Sequence, residues 1–245
     1  MTRKKGLAMW SRFCVLFLMG VGISQAQGIQ GRITLKGTPP PDVVIPSANT
    51  KDCHGGTIKT EFWSLGTNGG LGNVVVWVEG VPNEVKPEEP LPQVVIDQQG
   101  CRYTPHISAV QVKEKVVVKN SDPTLHNVRG SLVLRDKKNR VVFNLAQPVK
   151  GMKSEVSFSQ PGLHSLECDV HPWMQAWVMV LESPFYAVTD EGGVYQLPKG
   201  LPAGEYEVKA WHERFLNPLS QKVILTDKME DVNFEFVLES GKGHN

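Results

Sequence analysis

From Gly28 onward, apolar and polar residues alternate in short runs, and Gly, Pro, Asn and Asp interrupt the runs at short intervals. That period is the signature of strands with one face turned to a core. It predicts strands in IQGRITLKG, NVVVWVEGV, QVVIDQQ, SAVQVK, EKVVVKNS, SLVLRD, VVFNLAQ, SEVSFSQ, GLHSLECD, AWVMVLES, VYQLP, EYEVKAWHE, QKVILTD and NFEFVLE. Helical spacing is absent over any long stretch, and a short helical turn is expected only around Glu213 to Leu219. So many short strands predict an all-β protein of sandwiches or barrels.

Proline-rich connections organise these strands. TPPPD (38–42) and NEVKPEEPLP (83–92) are poor in apolar residues and read as boundaries, while DEGG (190–193) and PKGLPAG (198–204) frame a hairpin-like unit. The divisions expected are an N-terminal β segment over 27–90, a central domain over 91–183, a C-terminal module over 184–240 and a tail over 241–245.

Residues 1–26 differ from all of this. Arg3, Lys4, Lys5 and Arg12, without any acid, precede the apolar run CVLFLMGVGI and the small residues before Gln27. This is the order of a cleavable secretory signal ending at Ala26, and it predicts a periplasmic or otherwise exported protein. The apolar run is too short to span a bilayer, and no later segment of the mature chain is long and apolar enough to do so. Without residues 1–26, 22 basic residues face 25 acidic ones, a net charge of −3 that offers nothing to nucleic acid.

Export gives the cysteines meaning, because the compartment is oxidising. Setting Cys14 aside with the leader leaves Cys53, Cys101 and Cys168, so two can pair and one is left for other work. The plainest allocation is a disulfide between Cys53 and Cys101, closing a long loop and stabilising by roughly 3 to 4 kcal/mol in the chain-entropy model. Pairing through Cys168, or a second metal at Cys53 and His54, are the alternatives.

Cys168 lies in CDVHPWM (168–174), which offers a thiolate, an imidazole at His171 and a thioether at Met174. A donor set of this softness suits copper, whereas zinc makes little use of a thioether. Covalent haem would need Cys-x-x-Cys-His, and Val170 precedes His171. Electron-transfer copper takes two imidazoles and one thiolate with a long axial thioether. His126 in NSDPTLHNV, 42 residues before Cys168 and at the mouth of a loop after EKVVVKN, is the best second imidazole.

NSDPTLHNV followed by CDVHPWMQAWVMV resembles the two ligand segments of the cupredoxins, most closely the amicyanin-, plastocyanin- and pseudoazurin-like small blue copper proteins. The resemblance covers residues 91–183. It implies a Greek-key β-sandwich holding one type 1 copper at His126, Cys168, His171 and Met174, with Asn127 bracing the loop and Pro172 and Trp173 packing it and excluding water. Asp169-Val170, where relatives often carry Thr-Pro, and Leu125, where they often carry proline, are departures that bear on potential and loop stiffness. The implied activity is single-electron transfer to a redox protein through an exposed edge of His171, with Pro172 and Trp173 in the docking surface. Nothing in the sequence supplies a second copper centre or an open position with an acid/base pair, so turnover of a substrate is not expected.

AVTDEGGVYQLPKGLPAGEYEVKAWHE resembles the carboxypeptidase regulatory-like (transthyretin-like) β-sandwich module, which is usually a scaffold. GIQGRITLKGTPP and NVVVWVEGV look like opening strands of the same module, which predicts a sandwich split around the copper domain: 28–82 pairing with 184–240. His164 alternates with apolar neighbours and reads as structural, as does His106, whose alternatives are a second metal site with His54 or bracing of the copper site. Trp211-His212-Glu213 reads as a strand end. The competing functional readings are a copper-binding or delivery protein without redox duty and an envelope interaction module.

Overall fold

The computed structural model describes residues 27–46, 53, 57–135 and 137–238; the predicted leader and tail, and His54, lie outside them. Before residue 80 run β1 (Gly28–Lys36), β2 (Val44–Ile45), β3 (Ile58–Lys59) and β4 (Val75–Glu79). Between 95 and 181 follow β5 (Val95–Gln98), β6 (Tyr103–Thr104), β7 (Ile107–Gln111), β8 (Lys115–Asn120), β9 (His126–Leu132), β10 (Arg140–Gln147), β11 (Lys153–Ser157), β12 (Gly162–Glu167) and β13 (Gln175–Leu181). The chain ends through β14 (Tyr186–Val188), β15 (Val194–Gln196), β16 (Gly204–Trp211), β17 (Leu219–Leu225), β18 (Met229–Asp231) and β19 (Phe234–Val237). The protein is all-β, as the alternation predicts. Residues 213–217 are turns and bends rather than a helix, and β17 begins at Leu219.

Four sheets carry these strands in the orders β15-β1-β18 with β19 also on β1, β14-β4-β16-β17, β10-β9-β12-β13-β7 and β11-β8-β5-β6; β2 and β3 form a separate ribbon. β1 bonds to β15, β18 and β19, and β4 to β14 and β16. β1 and β4 therefore pair with the chain after 185, β2 and β3 with each other, and strands from 95 to 181 among themselves.

Period-2 alternation explains how the sheets stack. Val76 and Val78 of β4 join Ile29, Ile33, Phe185, Val208 and Phe236 in one core. Their neighbours Val75 and Trp77 point the other way, into a second cluster with Ile107 and Ala109 of β7, Met179 and Leu181 of β13, and Trp211. Ala176, Val178 and Val180 of β13 in turn face a third core with Ile96, Val116, Val118 and Val128. Both faces of β4 and β13 are thus buried, which is why NVVVWV and AWVMVL read as nearly unbroken apolar runs. Each fully buried aliphatic side chain contributes about 1.5–3 kcal/mol relative to exposure, so the middle cluster joins the two sandwiches firmly.

Close approach of backbone accounts for one glycine. A Cβ on Gly31 would lie 1.9 Å from the Val232 carbonyl oxygen, against which the Tyr195 hydroxyl donates at 2.6 Å.

A polar contact crosses the junction beside the apolar cluster. His106, ahead of β7, faces the Gln175 carbonyl through Nδ1 at 3.0 Å and Glu213 through Nε2, and the Trp177 indole donates to the second Glu213 oxygen at 2.8 Å. Both partners are buried. Burial alone disfavours a charged imidazole, but the hydrogen bond and charge of Glu213 outweigh it and hold the His106 pKa above its ordinary 6.5. Because the folded pKa is raised, the stabilisation is complete below about pH 6.5 and is lost as pH rises through the folded value. Replacing Glu213 by Gln removes the charged partner, so His106 stays neutral on folding; the unfolding free energy should drop by about 1–3 kcal/mol at pH 6 and its fall towards pH 8 should disappear. Urea unfolding of both proteins at several pH values checks this, and parallel pH profiles would contradict it.

Candidate metal centre

The loop 168–174 closes a hairpin whose last paired residues are Glu167 and Gln175. Its span is fixed by two backbone bonds: Cys168 N–H donates to the Met174 carbonyl at 3.3 Å, and Met174 N–H donates to the His171 carbonyl at 2.9 Å. The second is the i to i+3 bond of a β-turn with Pro172 at i+1, where its fixed φ fits. Proline and spacing together aim Cys168, His171 and Met174 inward, and all three are buried.

His126 reaches them from β9. The strand begins at His126, five residues before the predicted SLVLRD, because β10 pairs with it along its whole length and β12 adds the other side from Arg129 on, where Arg129 and Gly130 interrupt the apolar alternation. One donor atom from each of His126, Cys168 and His171 lies within 4.8 Å of the others. The two histidines meet through Nδ1 at 3.0 Å, and Cys168 Sγ is 3.8 Å from His171 Nδ1.

Asp122 orients His126. Its carboxylate accepts His126 Nε2–H at 2.9 Å, which leaves Nδ1 for the cluster. It also accepts the amides of Gly100 and Cys101, both at 2.8 Å, from a turn in which those residues have φ of 62° and 52°. Burial opposes ionisation of Asp122, yet these amides and His126 pull its pKa below the usual carboxylate value. Asp122 is a site residue that neither alternation nor the ligand-type motifs single out; its signal in NSDPTLHNV is a carboxylate four residues before His126.

Asn127 braces the thiolate loop. Its side chain accepts Asp169 N–H at 2.6 Å and donates to the Asp169 carboxylate at 3.0 Å, which Arg129 also holds at 2.9 Å. The Tyr103 hydroxyl donates to the Asn127 carbonyl at 2.6 Å. Around Cys168, burial works against the thiolate, but His126 and the backbone amides of Asn127, His171 and Val170 lower its pKa overall. His126 is shifted upward: burial disfavours its charge, and Cys168 and Asp122 more than offset that. The pocket is built for an anionic sulfur.

His171 departs from expectation. It is 5% exposed rather than presenting an open edge, because Cys101 Sγ stands 4.0 Å from its Nε2 and Trp173 packs on its ring with centroids 5.2 Å apart. Trp173 donates to the Cys101 carbonyl at 3.1 Å, and Pro172 is exposed. Cys101 is bonded to Cys53, leaving Cys168 as the free thiol among the described residues. His164 is buried with Nδ1 on the Gly162 carbonyl, and His212 stacks on Trp63 with its pKa pushed down to about 3 by burial first, then by His106 and Arg214. Neither these two nor His106 joins the cluster.

Solved structures similar to part of the chain include a purple cupredoxin from Nitrosopumilus maritimus, 23% identical over 36% of this chain and 100% of that one, TM-score 0.31. Amicyanin from Paracoccus versutus is 17% identical over 43% of this chain and 97% of that one, TM-score 0.31. A copper-containing nitrite reductase from Thermus scotoductus is 22% identical over 42% of this chain, TM-score 0.31, and the chain spans 25% of its length. No protein-family model and no curated protein matches the chain.

Replacing Asp122 by Ala frees His126 to rotate and change tautomer. Metal affinity, measured by competition with a chromogenic chelator, should fall about 10–100-fold, the usual effect of losing a group that orients a ligand. Unchanged affinity would contradict the orienting role.

Proposed function

We propose that the chain is an exported type 1 copper protein that passes single electrons between protein partners, with His126, Cys168 and His171 as the equatorial ligands and Met174 as the axial one. The observation that carries the reading is the buried convergence of two imidazole Nδ1 atoms and one thiol, from two strand ends, beside a buried methionine. Two nitrogens, a thiolate and a thioether form a donor set that fits copper better than other first-row ions. Bound there, copper supplies a one-electron couple between its cuprous and cupric states.

The protein's own residues supply rigidity. Asp122 holds one imidazole, the Pro172 turn holds the other, and Asn127 with neighbouring amides holds the sulfur. A site fixed by hydrogen bonds in both oxidation states has little to reorganise. We further propose that strands 95–181 form the copper domain, carried by a scaffold module assembled from the strands on either side. Partners would approach over Leu125 and Val170, 43% and 47% exposed next to His126 and His171, together with Pro172.

The oxidised, copper-loaded protein should show an intense visible thiolate-to-copper absorption that vanishes in Cys168→Ser and in His171→Ala, with a reversible midpoint potential by voltammetry. Retention of the band near full strength in either variant would overturn the ligand set. Stoichiometric copper that is released on oxidation would favour a delivery protein instead.

A further inference from the structure

Nδ1 of His171 serves the cluster just described, while Nε2 faces a second group of sulfurs. Cys53, Cys101 and His171 are all buried, and a donor atom from each lies within 4.8 Å of the other two. Cys101 is held there by more than its disulfide, since Asp122 accepts its amide and that of Gly100 while Trp173 donates to its carbonyl. Cys53 shares the apolar core with Ile58, Cys101 and Met174. Breaking the S–S bond therefore leaves both sulfurs facing the same imidazole nitrogen.

We propose that Cys53, Cys101 and Nε2 of His171 form a second, redox-gated site that binds cuprous copper only when the disulfide is reduced. A two-electron donor, a dithiol in the natural setting, breaks the S–S bond; each sulfur takes one proton and the donor becomes a disulfide. The ion then displaces both thiol protons without changing oxidation state. Two thiolates and an imidazole are soft donors suited to monovalent copper, whereas a structural zinc would want a fourth ligand. The Asp122 carboxylate, within 4.8 Å of Cys101 Sγ, already accepts His126 Nε2–H and the Gly100 and Cys101 amides, so it adds negative charge beside the site without serving as that fourth ligand. With both sites filled, His171 would release its remaining ring proton to solvent and serve both through its two nitrogens, so the second site would cover the first on the side where Cys101 and Trp173 bury His171.

The test uses Cys168→Ser, in which the first site has lost its thiolate. The protein is reduced with a water-soluble phosphine, which is oxidised to its oxide with oxygen from water, and is then desalted under argon. It is titrated with cuprous ion from an acetonitrile complex against bicinchoninate. The reduced variant should bind one equivalent at least tenfold more tightly than the same variant with its disulfide intact, in which only His126, His171 and Met174 remain to hold the ion, and further replacement of His171 by Ala should weaken binding at least tenfold. Far-UV circular dichroism should stay native-like on reduction. No uptake, uptake indifferent to His171, tighter binding of zinc than of cuprous copper, or unfolding on reduction would each overturn the proposal. Failure of the electron-carrier reading shows separately, in the visible spectrum of the unaltered chain with its disulfide intact.

Discussion

Asp122 accepts three hydrogen bonds, and the geometry around His126 depends on them. One fixes the tautomer and orientation of His126; the other two hold the Gly100–Cys101 turn, whose left-handed backbone points two amides at one carboxylate. Such a buried anion is tolerated only because every bond is charge-assisted. It couples the β8–β9 connection to the β5–β6 connection, and through Cys101 to the segment carrying Cys53. The ligand cluster on one side of His171 and the sulfur pair on the other thus share one anchor.

The remaining sheets serve that anchor by being stiff. β13, which leads out of the 168–174 loop, is buried on both faces, between the core it shares with β8 and β9 and the cluster it shares with β4 and β16. The loop consequently emerges from a strand that cannot tilt without disturbing two cores. His106 and Glu213 tie the Gln175 carbonyl, one residue after Met174, to the outer sandwich. The outer sandwich thus holds the residue that follows the 168–174 loop.

Much of this was legible in the sequence. Each of the fourteen apolar runs corresponds to a strand, and the ligand-type residues of CDVHPWM and LHNV announce their chemistry by type and spacing. Counting leaves one of three cysteines over, and the place of Cys168 in CDVHPWM favours Cys53–Cys101, the pair observed. What stayed hidden has physical causes. β2, β3, β6, β14 and β18 are two or three residues long, too short for alternation to register. His126 lies in a strand because β10 alone carries its ladder past Arg129, a tertiary effect that Arg129 and Gly130 mask locally. Asp122 next to Pro123 reads as turn chemistry until His126 is seen against it. Burial of His171 depends on Cys101 and Trp173 meeting above the ring, and nothing local in HPWM encodes that.

The central claim is that one thiolate and two imidazoles, from Cys168, His126 and His171, bind a single copper ion. X-ray absorption at the copper edge, on protein loaded with one equivalent and with its disulfide intact, tests it most directly. The account predicts one short copper–sulfur bond and two copper–nitrogen bonds, with the short sulfur contribution absent in Cys168→Ser. A coordination shell of nitrogen and oxygen alone would contradict it.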